Sequence, residues 1–125
     1  MNLSELRKIK KVELHAHLDG SLRVPTMIDI AKREGISLPS KDEYELYKNI
    51  KFYNGMDLKK CLKSFDVTLS IMQSEYALER TSYELCEDLS KDNIIDAEIR
   101  YCPLFHTKKG LDLNNVIEAT LRGLE

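Results

Sequence analysis

Apolar and polar residues alternate along positions 12–17. Val12, Leu14 and Ala16 fall on one side, and Glu13, His15 and His17 on the other. A period of two predicts a β-strand. Residues 94–101 repeat the pattern, with Ile95, Ala97, Ile99 and Tyr101 opposed to Asp96, Glu98 and Arg100, and Pro103 closing the run. Between these strands the period lengthens to that of a helix. Pro25 sits where a first helical residue belongs and Gly35 where a helix ends. Residues 38–50 predict a loop with a short helix. Leu58, Cys61, Leu62, Phe65, Leu69 and Met72 step by three or four, which predicts an amphipathic helix over 57–72. A second covers about 75–91 with Leu78, Leu85, Cys86 and Leu89 as its stripe. A third opens after Asp112 as N-cap, with Leu113, Val116, Ile117, Thr120, Leu121 and Leu124 inward.

Strand, several helices, strand, helix is the order of an α/β protein with parallel pairing through a helical crossover. Two strands do not finish a parallel sheet, and the last apolar stripe still runs at Glu125. The expectation is therefore the opening portion of a larger α/β domain. The alternative is a complete small α-rich domain.

Composition narrows the class without naming a function. The 125 residues are 42% hydrophobic and 32% charged, as in a folded globular chain. The formal net charge of -2, with both signs interspersed, offers no basic face for nucleic acid or an anionic membrane. Arg7, Lys8, Lys10 and Lys11 read as a solvated lead-in to the first strand. No segment approaches the ~20 apolar residues that span a bilayer, and Met1–Glu5 lacks the order of a signal peptide. Cys61, Cys86 and Cys102 are odd in number and far apart. They predict reduced, packed thiols and a cytoplasmic location rather than a disulfide frame.

The candidate chemistry lies at the end of the first strand. His15 and His17 leave the same face about 6–7 Å apart along the strand, and imidazole is a good ligand for zinc. Two ligands are fewer than the three or more protein groups that zinc takes, and a His-x-His pair alone equally suits surface or satisfied histidines. The company of Glu13 and Asp19 changes the picture. A charged strand face in a helix-covered sheet needs a polar place to point, such as the inside of an α/β barrel near its active end. Gly20 permits a sharp turn there. Glu13 and Arg100, on the polar faces of neighbouring strands, are expected to share an ion pair or hydrogen-bond network.

Val-Glu-Leu-His-Ala-His-Leu-Asp-Gly-Ser-Leu at 12–22 resembles the opening motif of adenosine deaminases, in the amidohydrolase superfamily of metal-dependent barrels. Met56-Asp57-Leu58 through Phe65-Asp66 resembles the family's helical flap. Residues 97–103, Ala-Glu-Ile-Arg-Tyr-Cys-Pro, resemble its second barrel strand, and Leu104–Thr107 to Gly110-Leu111 resembles the bacterial members.

The resemblance implies an α/β fold: an incomplete TIM (β/α)8 barrel, with the first two parallel strands and their helices in one domain portion over 1–125. It implies His15 and His17 as the first two ligands of one Zn2+ ion. His17 and Asp19 would border a purine nucleoside, Asp19 through a ribose hydroxyl, and Leu58, Leu62 and Phe65 would form the apolar wall. Cys61 stands where relatives often carry an aromatic residue. The implied reaction is hydrolytic deamination of adenosine or deoxyadenosine to the inosine product, with no nucleic acid or membrane partner. The family's third histidine ligand, its acid/base segment and its metal-binding aspartate have no counterpart within these 125 residues. No catalytic residue is therefore assigned, and the 125-residue chain by itself is expected to be inactive. A related adenine or modified-nucleoside deaminase, or a noncatalytic split-gene remnant, are the other readings. His106 matches no ligand position and is expected to be structural.

Overall fold

The computed structural model describes residues 2–125. The two strands form where alternation placed them, β1 at Lys11–His17 and β2 at Ile94–Arg100, and they pair in parallel. Before β1 comes a short helix, α1 (Leu3–Lys8). Asn2 and Glu5 form a reciprocal capping box at its start, which offsets the cost of so short a helix. The basic run is thus partly helical rather than a plain lead-in, and the Lys11 ammonium folds back onto the carbonyls of Leu6 and Ile9.

Four helices make the crossover: α2 (Val24–Glu34), α3 (Glu43–Ile50), α4 (Leu58–Ile71) and α5 (Glu75–Lys91). After β2 the chain closes with α6 (Leu113–Leu124). Side chains of Asp42, Asp57, Ser74 and Asp112 accept first-turn N–H bonds at four of these starts. Gly35 ends α2 in the left-handed region at φ 68°, where a side chain would be strained.

Two packed clusters hold the layers together. One joins Leu18, Met72, Leu78, Leu85, Val116 and Ala119, with Ile99 of β2 and Tyr101 just after it packed against it. The other joins Met27, Ile30, Ala31, Leu46, Ile71 and Ala77. The α5 stripe faces inward as expected through Leu78 and Leu85, with Leu89 against the same cluster, whereas the stripes of α4 and α6 are rotated in part. In α4 the buried face runs through Ser64, Thr68 and Ile71, while Leu58 and Leu62 are 74% and 57% exposed. The Ser64 and Thr68 hydroxyls bond back to carbonyls of their own helix, so small polar residues pack inward without unmet bonds. In α6 the residues turned in are Val116, Ala119, Thr120 and Gly123, and Ile117 and Leu121 remain exposed.

Gly123 explains that choice, because a Cβ there would stand 2.2 Å from the Glu79 carbonyl oxygen on α5. Along the sheet, Val12, Leu14 and Ile95 are also exposed. No helix among the described residues is long and apolar enough to cross a membrane, and all three cysteines are unpaired and half-buried.

Candidate functional site

The polar face of β1 ends in two imidazoles. The His15 and His17 Nε2 atoms are 3.1 Å apart, with ring centroids at 5.0 Å. Immediately afterwards the chain turns inward. A 3-10 turn over Leu18–Gly20 buries Leu18 completely and Asp19 nearly so. The Ser21 hydroxyl donates to the His17 carbonyl at 2.6 Å and ties the turn to the strand. The Phe65 ring stands edge-on to His17 at 6.0 Å. Gly20 makes room for it, because a Cβ there would lie 3.3 Å from Phe65 Cε1.

Beside this turn opens a cavity of about 670 Å³ lined by His17, Asp19, Leu62, Phe65, Asp66, Leu69, Arg100, Tyr101, Cys102, Phe105 and Lys108. Its size suits a small organic ligand. Four of the residues expected at the site (His17, Asp19, Leu62 and Phe65) meet in this wall. Leu58 does not line it and faces solvent, and Cys61 lies outside it. Alternation and helical period marked Leu62, Phe65 and Leu69 only as apolar. Tyr101 closes the alternating run of the second strand, whereas Cys102, Phe105 and Lys108 come from the turn after it, which carries no periodic signal.

Two buried polar atoms here lack partners, Asp19 Oδ1 and His106 Nε2. Asp19 Oδ1 stands 3.7 Å from His17 Nδ1, beyond a hydrogen bond. His106, fully buried, contacts the Met72 carbonyl through Nδ1 at 2.9 Å, so the neutral ring carries its proton there and donates. Burial holds the His106 imidazole below its usual range, against the opposing pull of that carbonyl and of Asp19. The Met72 bond and the burial agree with a structural role.

Of the two arrangements expected for Glu13 and Arg100, the ion pair does not form, and the shared hydrogen-bond network does, through the Leu14–His15 peptide that both side chains bond. Among the described residues Arg100 has Glu98 as its acidic neighbour, at 3.8 Å, and Glu13 accepts from the His15 N–H instead.

The donor set fits part of a metal site. Two nitrogens each about 2.05 Å from one tetrahedral ion stand ~3.3 Å apart, close to the 3.1 Å seen. The same spacing suits an N–H···N bond between the rings. No cluster of three or more His, Cys, Asp or Glu side chains able to hold a metal occurs among the described residues. The pair alone falls short of the three or more protein groups that zinc takes.

Comparison with known proteins gives first the class. The fold matches adenine deaminase from Arthrobacter aurescens with a TM-score of 0.80 and 27% identity, covering 90% of this chain and 34% of that one. It also matches an amidohydrolase from Burkholderia ambifaria, solved with bound Zn, at a TM-score of 0.77 and 23% identity over 97% of this chain and 32% of that one. These are TIM-barrel deaminases and amidohydrolases, and the present chain has their α/β architecture. The family follows from the sequence. The adenosine deaminase profile matches residues 10–125, and the chain belongs to that family. An adenosine deaminase of Clostridium botulinum is 42% identical over 120 residues, or 95% of this chain. The chain spans about a third (36%) of that relative's length.

Proposed function

We propose that this chain supplies the first two metal ligands and one wall of the nucleoside pocket of a hydrolytic adenosine deaminase. The convergence of His15 and His17 beside Asp19 carries the reading. His15 and His17 would hold one zinc ion through Nε2. Zinc, when bound, supplies Lewis acidity that brings the pKa of a water toward neutrality. The chain's own residues would bind and orient the substrate. Asp19 Oδ1 is a buried acceptor without a partner, and a sugar hydroxyl entering the cavity would satisfy it. Such a group costs about 1–3 kcal/mol while unmet, so it discriminates against ligands that lack the hydroxyl. Leu62, Phe65 and Leu69 exclude water and take the flat faces of a purine; Leu58 would join them only if the start of α4 closes over the cavity. Groups outside this sequence would supply the proton transfers.

A second reading has one specific observation behind it, the likeness to an adenine deaminase. Asp19 separates the two, because adenine has no sugar. The test follows deamination by loss of purine absorbance, with the 125-residue chain and with the longest protein that carries it. The 125-residue chain is expected to be inactive and to bind zinc weakly. The longer protein should turn over adenosine, lose activity with His17→Ala or a chelator, and lose adenosine turnover selectively with Asp19→Ala. Turnover of adenine that is indifferent to Asp19→Ala would replace the nucleoside reading, and activity indifferent to chelation would sink the metal reading.

A further inference from the structure

The peptide joining Leu14 to His15 stands outside the regular ladder. From Glu13 to Ala16 β1 advances three residues, while β2 advances two, from Ala97 to Ile99. One extra residue in β1 makes a bulge, which disrupts the ladder and re-aims side chains. Two charged side chains take up the displaced peptide. Glu13 Oε1 accepts the His15 N–H at 2.9 Å. Arg100 Nη2 donates to the Leu14 carbonyl at 3.1 Å. That N–H and that carbonyl are the two ends of one peptide unit. Because the unit is planar, fixing both ends fixes its plane, and with it the direction in which the His15 side chain leaves the backbone.

Arg100 is well placed for this. It is the register partner of His17 and also bonds the Leu14 carbonyl, so one residue of β2 meets β1 at His17 and at the peptide that leads into His15. The result shows in the rings, whose centroids lie at 5.0 Å, closer than the ~6–7 Å spacing of alternate residues on a flat strand. A charged acceptor and a charged donor also hold better than neutral ones.

We infer that Glu13 and Arg100 are positioning residues that clamp the Leu14–His15 peptide from both ends and so set the aim of His15 toward His17. This explains why the two charges, though on neighbouring strands, do not pair with each other. The consequence for metal affinity rests on the zinc-ligand reading above; the clamp itself does not.

The test therefore reads the two separately. In metal-free protein, amide exchange at His15 and the proximity of the two rings are followed by NMR. Glu13→Ala should speed His15 exchange by ~10-fold or more and separate the rings, with α5 amides unchanged. Glu13→Gln, which keeps the acceptor, should restore most of the protection. Arg100→Ala should separate the rings and Arg100→Lys should restore them in part. Zinc affinity, by competition with a chromophoric chelator, should fall 10–100-fold in both alanine variants, the usual cost of removing a partner that orients a ligand. His15→Ala is the control for the metal. If it binds zinc as well as the unaltered protein does, the zinc reading fails and the exchange and ring data alone decide the clamp. If His15 exchange and ring proximity are unchanged in both alanine variants, the clamp is refuted whatever the zinc result.

Discussion

Gly123→Ala tests the packing that joins the last helix to the rest of the chain. A methyl at 123 would meet the Glu79 carbonyl oxygen at 2.2 Å, the Glu79 carbonyl carbon at 3.0 Å and Ser82 Cβ at 2.7 Å. Non-bonded carbons sit best about 3.5–4.0 Å apart, so relief needs a shift of roughly 1 Å. The obstacles on α5 are mainly backbone and cannot rotate away. Forcing extra atoms into such a contact costs typically about 1–3 kcal/mol, occasionally more, and the severity of this overlap places it at the upper end. Ala instead of Gly in a helix returns up to about 1 kcal/mol. The net expectation is about 2 kcal/mol of destabilisation, or a Tm lower by about 6–10 °C for a domain of this size. Arg122 bridges to Glu79 and Glu75 across the same interface at 2.9 and 2.8 Å, and a forced separation stretches those pairs too. Thermal and urea unfolding followed by circular dichroism measure the effect. A variant as stable as the parent, or more so, would mean that the last turn of α6 leaves α5 freely and that the close approach contributes nothing.

Gly20→Ala meets only side-chain atoms, at 3.3 Å from Phe65 Cε1 and 3.5 Å from His17 Cβ. It should cost less than ~1 kcal/mol yet displace the Phe65 ring, seen as altered Phe65–His17 NMR contacts; unchanged contacts would refute it. Leu18→Ala empties a fully buried position in the first cluster and should cost about 2–4 kcal/mol in urea unfolding; a loss below ~1 kcal/mol would show that the turn below the histidines collapses into the space. His106 gives the pH dependence. Its folded-state pKa lies below the unfolded one, so the unfolded chain takes up the proton first. Stability should be unaffected above about pH 6.5, fall as pH drops below it, and level off once the folded imidazole is also charged. His106→Asn, which keeps a donor for the Met72 carbonyl, should flatten the slope below about pH 6.5; retention of the full slope would assign it to another group.

Much of the frame was legible because each signal was local. Alternation marked both strands, and Gly35 and Asp112 stand at helix ends where the chain needs a left-handed residue or a side-chain acceptor. The short α1 escaped because its signal was a two-residue capping box, overshadowed by the basic run that follows. The facing of α4 escaped for a different reason. Period identifies a stripe but not what it meets, and Ser64 and Thr68 hide their polarity by bonding to their own helix. The bulge in β1 was invisible because it belongs to the register between strands, which neither strand encodes alone. That is why the sequence places Glu13 and Arg100 on neighbouring strands in a shared network but does not reveal the backbone peptide that joins them.

The histidine pair owes its geometry to both ends of the short run that carries it. On the carboxyl side, Leu18 is locked in the core and Asp19 is buried one residue later, so His17 sits on backbone that has little freedom. On the amino side the strand has no such anchor. Val12 and Leu14 are 53% and 64% exposed, and the backbone between Glu13 and Ala16 leaves the ladder. A ligand pair with one fixed and one loose member would spend binding energy on ordering the loose one. The bonds from Glu13 and Arg100 to the intervening peptide supply the missing restraint, using residues whose charge is conspicuous in the sequence and whose partners are backbone atoms. The polar face of β1 is thus not simply a wall for a cavity. Part of it is spent on holding His15 still.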